Sequence, residues 1–301
     1  MALKITRAAD PITVERLNVT IYSQPGAGKT SLAFTAEAPL LLDFDRGIHR
    51  AANRGDAVQV TDWRDVASMT GEDLADYKTV VMDTAGRALD ILAADIIRID
   101  PKKGNGGSLS LKGFGELKSR FAGFLKMLNS FGKDVVLIVH GEEKQSGDDI
   151  IERLDMQGAS KNEVYKSSDM MGRLVIREGK RWLLFSPTDT AFGKNPGQLE
   201  PIQIPPIESP EYAGLLGRVI AQTKEKLNAL SDEQREAMAE QEWFREALPK
   251  IQNAEEVNAL LPRAKAAGVA CSTLLARRAK EMDLSFDKQA GEYVELQKEA
   301  A

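Results

Sequence analysis

The stretch Ser23-Gln24-Pro25-Gly26-Ala27-Gly28-Lys29-Thr30 commits this chain to a strand, a tight loop and a helix in immediate succession. It has the form G-x-x-x-x-G-K-[ST], with Ser23 standing where the first glycine usually sits. Upstream, Leu17 to Tyr22 alternates β-formers, and downstream Ser31-Leu32-Ala33-Phe34-Thr35-Ala36 opens a helix. In such a loop successive backbone N–H groups converge on an anion, helped by the positive end of the helix that follows. Gly26 and Gly28 let the backbone wrap phosphate without a Cβ in the way. Ser23, Gly26, Ala27, Gly28, Lys29, Thr30 and Ser31 are therefore expected to cradle a nucleoside triphosphate, ATP by expectation. Lys29 would reach the β- and γ-phosphates, and the Thr30 hydroxyl would take one position on Mg²⁺.

Around that loop, apolar runs ending in polar residues alternate with helical spacing. Pro39 to Asp45, Val58 to Val60, Tyr77 to Asp83 and Asp134 to His140 read as strands; Trp63 to Leu74 (with Asp62 as N-cap), Leu89 to Ile99 and Leu117 to Phe131 read as helices. Strands that are apolar throughout indicate a parallel sheet covered on both faces, an α/β fold. Residues 1–14 read as a lead-in or edge strand, and Pro101 to Ser108 as a loop. Past His140, residues 150–154, 173–177 and 181–185 read as strands, with a short helix over 158–168. A Gly/Pro-rich loop follows from Pro187 to Pro210. From Glu211 to about Met282 the pattern is helical, with stops at Pro249 and near Leu261-Pro262 and helix starts at Ser231 and Asn253. The expected division is 1–207 for the core and 208–301 for a helical C-terminal domain.

Composition narrows the class. The chain has 301 residues, one cysteine, two histidines and a net charge of −5. A single Cys271 excludes an internal disulfide framework and fits a reducing compartment. No apolar run approaches the ~20 residues that cross a bilayer. The N-terminus lacks the pattern of a secretory signal. Nucleic acid, if bound, must meet a local basic patch.

Asp83 closes Val80-Val81-Met82-Asp83-Thr84 as an acid able to hold Mg²⁺ beside the phosphate loop. Asp43 and Asp45 end the strand after the loop helix, where ligands of parallel sheets gather. Asp45 is the favoured candidate for orienting or deprotonating the attacking water, against a reading of both acids as caps. His140 is placed as a sensor of the γ-phosphate, or else as a polar strand end. Between Arg98 and Arg120 six Lys or Arg face two Asp or Glu, among five glycines. Lys102, Lys103, Lys112 and Phe114 are the expected contacts to single-stranded DNA, charge for phosphate and a ring for a base. From residue 208 onward 13 basic residues face 17 acidic ones, so the tail reads instead as an oligomer contact or a docking surface for a partner protein.

Ile21 to Thr30, Leu42-Asp43-Phe44-Asp45-Arg46-Gly47, Val81 to Thr84 and Ile138-Val139-His140 together resemble the RecA-like branch of phosphate-loop ATPases. More narrowly, they are similar to the phage nucleotide-binding AAA-type proteins that include core-only RecA-like single-strand annealing proteins. The resemblance spans roughly residues 15 to 205 and implies a RecA-like P-loop NTPase core acting in the cytoplasm of a bacterial host. It implies a catalytic acid at Asp45, one methylene shorter than the family's glutamate, and a coupling residue at His140 in place of a glutamine. It also implies a ring or filament of subunits, with a neighbour's basic residue as a finger on the phosphates; Lys194 is the candidate. The activity implied is Mg-dependent ATP hydrolysis with ATP-gated binding of single-stranded DNA in recombination or annealing. Two alternatives stay open: an ATP-switched assembly or loading factor for a replication or packaging protein, engaged through the C-terminal helices, and a metabolic kinase.

Overall fold

A computed structural model describes residues 13–147, 149–157, 160–287 and 290–295. Leu17 leads into strand β1 (Asn18–Ser23), the phosphate loop, and helix α1 (Lys29–Ala33). β2 (Pro39–Asp43), β3 (Ala57–Gln59), α2 (Arg64–Ala67), β4 (Thr79–Asp83) and α3 (Ala85–Ile99) follow. A small hairpin, β5 (Gly104–Asn105) and β6 (Ser108–Leu109), joins α3 to α4 (Leu111–Ser130). Next come β7 (Asp134–Ser146), β8 (Asp149–Leu154), α5 (Ser160–Ser167), β9 (Met170–Arg177), β10 (Lys180–Leu184) and β11 (Ile202–Ile204). The chain closes with α6 (Leu215–Ala247), α7 (Ala254–Ala266), α8 (Val269–Glu281) and the hairpin β12 (Leu284–Asp287) and β13 (Glu292–Glu295).

Among the described residues the main sheet runs β11-β10-β9-β1-β7-β4-β2-β3, with β8 paired to β7. From β9 to β3 every neighbouring pair is parallel, and β10 and β11 add an antiparallel edge. β7 lies between β1 and β4, so the phosphate-loop strand and the Asp83 strand are not neighbours. Side chains alternate across the sheet. Tyr22, Leu42, Met82 and Val139 pack on one face with Leu89 and Leu92 of α3 and Phe121 and Leu125 of α4. Ile21, Leu41, Val81 and Ile138 pack on the other with Leu32 of α1 and Leu216, Val219 and Ile220 of α6. Burial on both faces is what makes these strands read as continuous apolar runs.

Several elements depart from the sequence expectation. The helix expected over 63–74 is confined to α2; beyond it Ser68, Thr70 and Gly71 turn the chain, with Asp73 accepting from Thr70 N–H at 2.8 Å. Asp62 Oδ1 accepts from Arg64 N–H at 2.9 Å, as an N-cap side chain does, although α2 itself begins at Arg64, one residue later than an N-cap at 62 implies. α4 begins at Leu111 rather than 117, because Ser110 Oγ caps it by accepting from Gly113 N–H. β7 runs on past His140 into a hairpin with β8. Within the expected 187–210 loop, β11 pairs with β10. The helix start expected at Ser231 lies inside α6, and Pro262 lies inside α7, whose buried Val257 and Ala264 keep it seated. Residues 1–12 of the expected lead-in, and 158–159 of the expected helix, lie outside the described residues.

The chain divides into two compact units, with the break after Leu227, inside α6, rather than at 208. The first turns of α6 belong to the core because Leu215, Leu216, Val219 and Ile220 are buried in it. The C-terminal unit has its own core of Phe244, Leu248, Val257, Ala264, Cys271, Leu275 and Ala279. Among the described residues no helix is long and apolar enough to cross a membrane.

Buried Asp134 fastens the start of the sheet: Oδ1 accepts from Leu17 N–H at 2.8 Å and Oδ2 from Lys224 Nζ at 2.7 Å. Asp134→Ala removes both acceptors and leaves a buried N–H unsatisfied. We expect a loss of about 2–4 kcal/mol in core stability by urea denaturation.

Candidate nucleotide site

Alternation puts the polar strand ends on one face. Leu42, Met82, Val139 and Tyr22 point to the α3–α4 side, so the next residues, Asp43, Asp83, His140 and Ser23, point to the side of α1. Ser23 pairs in register with His140, Asp83 with Ile138, and Asp43 with Asp83. The strands thus end in a polar row over which the phosphate loop folds.

Gly26 and Gly28 adopt φ of 81° and 94°, the left-handed region that favours glycine. Above Gly28, where a Cβ would stand, the guanidinium of Arg181 from β10 would be 2.7 Å away. Lys29 Nζ donates to the Ser23 and Gln24 carbonyls at 2.9 and 3.0 Å, and to Ser23 Oγ at 3.1 Å. Serine in place of the first glycine therefore adds an acceptor for this lysine. Burial lowers the Lys29 ammonium to about 8, against the pull of Asp83 and Asp45. Ser31 is buried and holds the facing turn: its Oγ accepts from Ala52 N–H and its carbonyl from Asn53. Ala27 is buried beneath the loop.

Thr30 Oγ1 donates to Asp83 Oδ2 at 2.6 Å. A hydroxyl and a carboxylate side by side at the end of a phosphate loop are the oxygen donors a hard divalent cation takes, with phosphates completing its shell. The pair therefore fits Mg²⁺ held jointly with nucleotide. Among the described residues no group of three or more His, Cys, Asp or Glu could hold a metal without such help.

Asp43 and Asp45 separate cleanly. Asp43 is fully buried and accepts from Gly47 N–H at 2.9 Å and Ile48 N–H at 3.1 Å, so it caps the turn after β2. Asp45 lines a cavity of about 480 Å³ with Lys29, Thr30, Asp83, His140 and Arg50. Its oxygens face Arg50 Nη2 at 2.6 Å and Arg87 Nε at 3.5 Å. Phe44 and Asp45 N–H both donate to the Asp83 carbonyl, fixing the β2 exit against β4. His140 Nδ1 lies 3.5 Å from Lys29 Nζ, and burial, with Lys29, holds its pKa below the usual range. A neutral imidazole that accepts from the lysine at Nδ1 carries its proton on Nε2, as a donor.

Other expected site residues lie elsewhere. Lys194 Nζ donates to the Tyr165 and Ser168 carbonyls at 2.6 Å each, and its backbone pairs with Met171. It caps the end of α5 rather than standing on a solvated loop. Lys112 and Phe114 ride on the first turn of α4 rather than in a mobile loop. Lys103 is ion-paired with Glu116 and Asp100, whereas Lys102 and Lys112 are exposed. No motif in the sequence points to Arg50, Arg87 or Arg181, because single arginines far from the loop in sequence carry no local signal.

The polar row is costly. Burial pushes the Asp83 carboxyl up to about 6, with Asp43 and Asp45 adding to the rise and Thr30 and Lys29 opposing it. A carboxyl raised in the folded state binds more protons there than in the unfolded chain, so stability falls as pH rises from about 4 to about 6. Asp83→Asn keeps an acceptor for Thr30 without the charge. We expect it to stabilise the nucleotide-free protein by about 1–3 kcal/mol near pH ~7.5 and by little near pH ~4, measured by chemical denaturation.

No curated protein sequence matches this chain. Among solved structures it is similar to a KaiC-like protein, PH0186, from the hyperthermophilic archaeon Pyrococcus horikoshii OT3. That likeness has 12% identity and a TM-score of 0.33, covering 56% of this chain and 77% of that one. The AAA domain family matches residues 15–196, from the lead-in to β1 through the loop that carries Lys194. This chain belongs to the AAA domain family, its phosphate loop set at the end of a mostly parallel sheet.

Proposed function

We propose that this ATPase binds single-stranded DNA in its ATP-bound state and promotes recombination or strand annealing. The backbone N–H groups of residues 26–31 and the Lys29 ammonium would hold the phosphates, and Thr30 and Asp83 would hold Mg²⁺. When bound, the ion neutralises charge on the phosphate oxygens. Asp45 orients the attacking water and takes its proton. His140 lines the same cavity, while its carbonyl accepts from Asp155 N–H at 2.8 Å and its strand runs on into the β7–β8 hairpin. A change at the phosphates thus has a route out of the site.

The observation that carries the DNA reading is the exposed start of α4. Leu111 is 93% and Phe114 39% exposed, with Lys112 between them in sequence, beside a groove of about 690 Å³. Ala93, Ala94 and Ile97 of α3 form the other wall. Exposed aromatic and aliphatic side chains next to lysines suit stacked bases and a phosphate backbone. The first turn of α3 reaches the nucleotide site through Thr84 and Arg87, so one rigid helix spans both. The rival reading, an ATP-switched factor that handles another protein, is favoured by the C-terminal unit. There Trp243, Ala247, Ile251 and Leu260 line an apolar cavity of about 500 Å³.

Asp45→Asn is expected to keep ATP affinity within about threefold and to lower turnover by about 10²-fold or more; wild-type turnover would remove Asp45 from the mechanism. DNA binding is checked by fluorescence anisotropy with no nucleotide, ADP and a non-hydrolysable ATP analogue, at two salt concentrations. Tight binding is expected only with the analogue. Phe114→Ala should weaken it by about 1–3 kcal/mol, and Lys102→Ala with Lys112→Ala should flatten its salt dependence. Normal ATP binding with no DNA binding in any state would favour the protein-handling reading.

A further inference from the structure

Two arginines meet the Asp45 carboxylate, and they are held differently. Arg87 Nη1 is also bound to Asp90, one turn along α3, at 3.1 Å, and Arg87 is not part of the cavity wall. Arg50 pairs with Asp45 alone among the described carboxylates, is 61% exposed, and lines the cavity with Lys29, Thr30, Asp83 and His140. Of the two acids lining the cavity, Asp83 is bound to Thr30, and this cation stands against the other, Asp45.

Gly47 lies against the same guanidinium. Its backbone, φ −103° and ψ −1°, is one that any residue adopts. Yet a Cβ at this position would lie 2.3 Å from Arg50 Nη2. The guanidinium thus lies directly over the Gly47 Cα in its pairing with Asp45. The turn itself is fixed from beneath by Asp43, through the N–H groups of Gly47 and Ile48. The turn that carries the arginine is pinned at two N–H groups, and the head of the side chain reaches into the cavity.

We propose that Arg50 is the cation that contacts the terminal phosphate of a bound nucleoside triphosphate, supplied by the same chain, and that Asp45 stores it between turnovers. This rests on the reading of the cavity as a triphosphate site. A guanidinium fork matches a carboxylate and a phosphate equally well, so the exchange replaces one charge-assisted pairing with another. Leaving Asp45, Arg50 uncovers Oδ2 for the attacking water, while Arg87 stays beside Oδ1 and keeps the carboxylate in place. One movement then both recognises the terminal phosphate and exposes one oxygen of the acid. A diphosphate has no terminal phosphate to draw the arginine away, so Asp45 stays covered. The assignment also removes the need for a finger from a neighbouring subunit, a role for which Lys194 would have to abandon two carbonyls.

The test measures the affinities of ADP and a non-hydrolysable ATP analogue, each with Mg²⁺, by calorimetry on the full chain. Wild type is expected to prefer the analogue. Arg50→Ala should hold ADP affinity within about twofold, which also reports an intact site, and lose about tenfold or more on the analogue. Arg50→Lys should recover part of the lost preference. ATP turnover of Arg50→Ala should fall at least about tenfold and stay low when mixed with Lys29→Ala subunits, which carry Arg50 but cannot turn over. An undiminished preference in Arg50→Ala overturns the proposal, and restored turnover on mixing overturns the same-chain assignment. A wild type that binds neither nucleotide would instead bring down the reading of the cavity, and this proposal with it.

Discussion

The register in which the parallel strands end is the constraint on which the rest of this molecule depends. Ser23 stands opposite His140, Asp83 opposite Ile138, and Asp43 opposite Asp83. Because side chains alternate, this register turns all four polar residues toward the face that α1 covers. A slip of one residue in β4 would send Asp83 into the apolar layer of α3 and α4 and bring Met82 under Thr30. The register is enforced from both faces, since each strand buries one set of side chains against α3 and α4 and the other against α1 and α6. The hydrogen bonds from Phe44 and Asp45 N–H to the Asp83 carbonyl secure it at the site itself.

That architecture concentrates charges that would not choose to be together. Lys29 and Asp83 are both pushed toward their neutral forms by burial, and Asp43 and Asp45 crowd the same strand ends. The protein compensates locally, with three loop oxygens on Lys29, a hydroxyl on Asp83, two backbone N–H groups on Asp43 and two arginines on Asp45. Such pairings are also the contacts that phosphate and a divalent cation would replace. Folding stability is lower for it, and the site is prepared for a polyanion.

α3 joins the chemistry to the surface. Thr84 caps its first turn, Arg87 reaches Asp45, Asp90 takes the Gln157 amide at 2.6 Å, and Asp95 binds both Arg98 and Arg120. Its buried stripe of Ala88, Leu89, Leu92 and Ile96 seats it on the sheet. The same helix that reaches Asp45 through Arg87 carries the groove residues Ala93 and Ile97.

The local sequence was enough for the strand–loop–helix around Lys29, for the apolar strands of a sheet covered on both faces, and for Asp83 as the acid at the end of one of them. These features rest on contiguous residues whose periodicity and backbone demands are written side by side. The sequence misread α4, because Gly113 and Gly115 look like loop while a cap at Ser110 and burial of Leu117 and Phe121 hold a helix. It likewise missed β11, whose strand character comes from pairing with β10. Above all, the sequence could not distribute the charges. Only the tertiary structure decided that Asp43 is a cap while Asp45 faces the cavity, that Lys194 and Lys103 are engaged while Lys102 is exposed, and that Arg50 enters the site. Ion pairs join residues that the fold brings together, and their partners are set by strand register and helix packing rather than by any neighbouring residue in the chain.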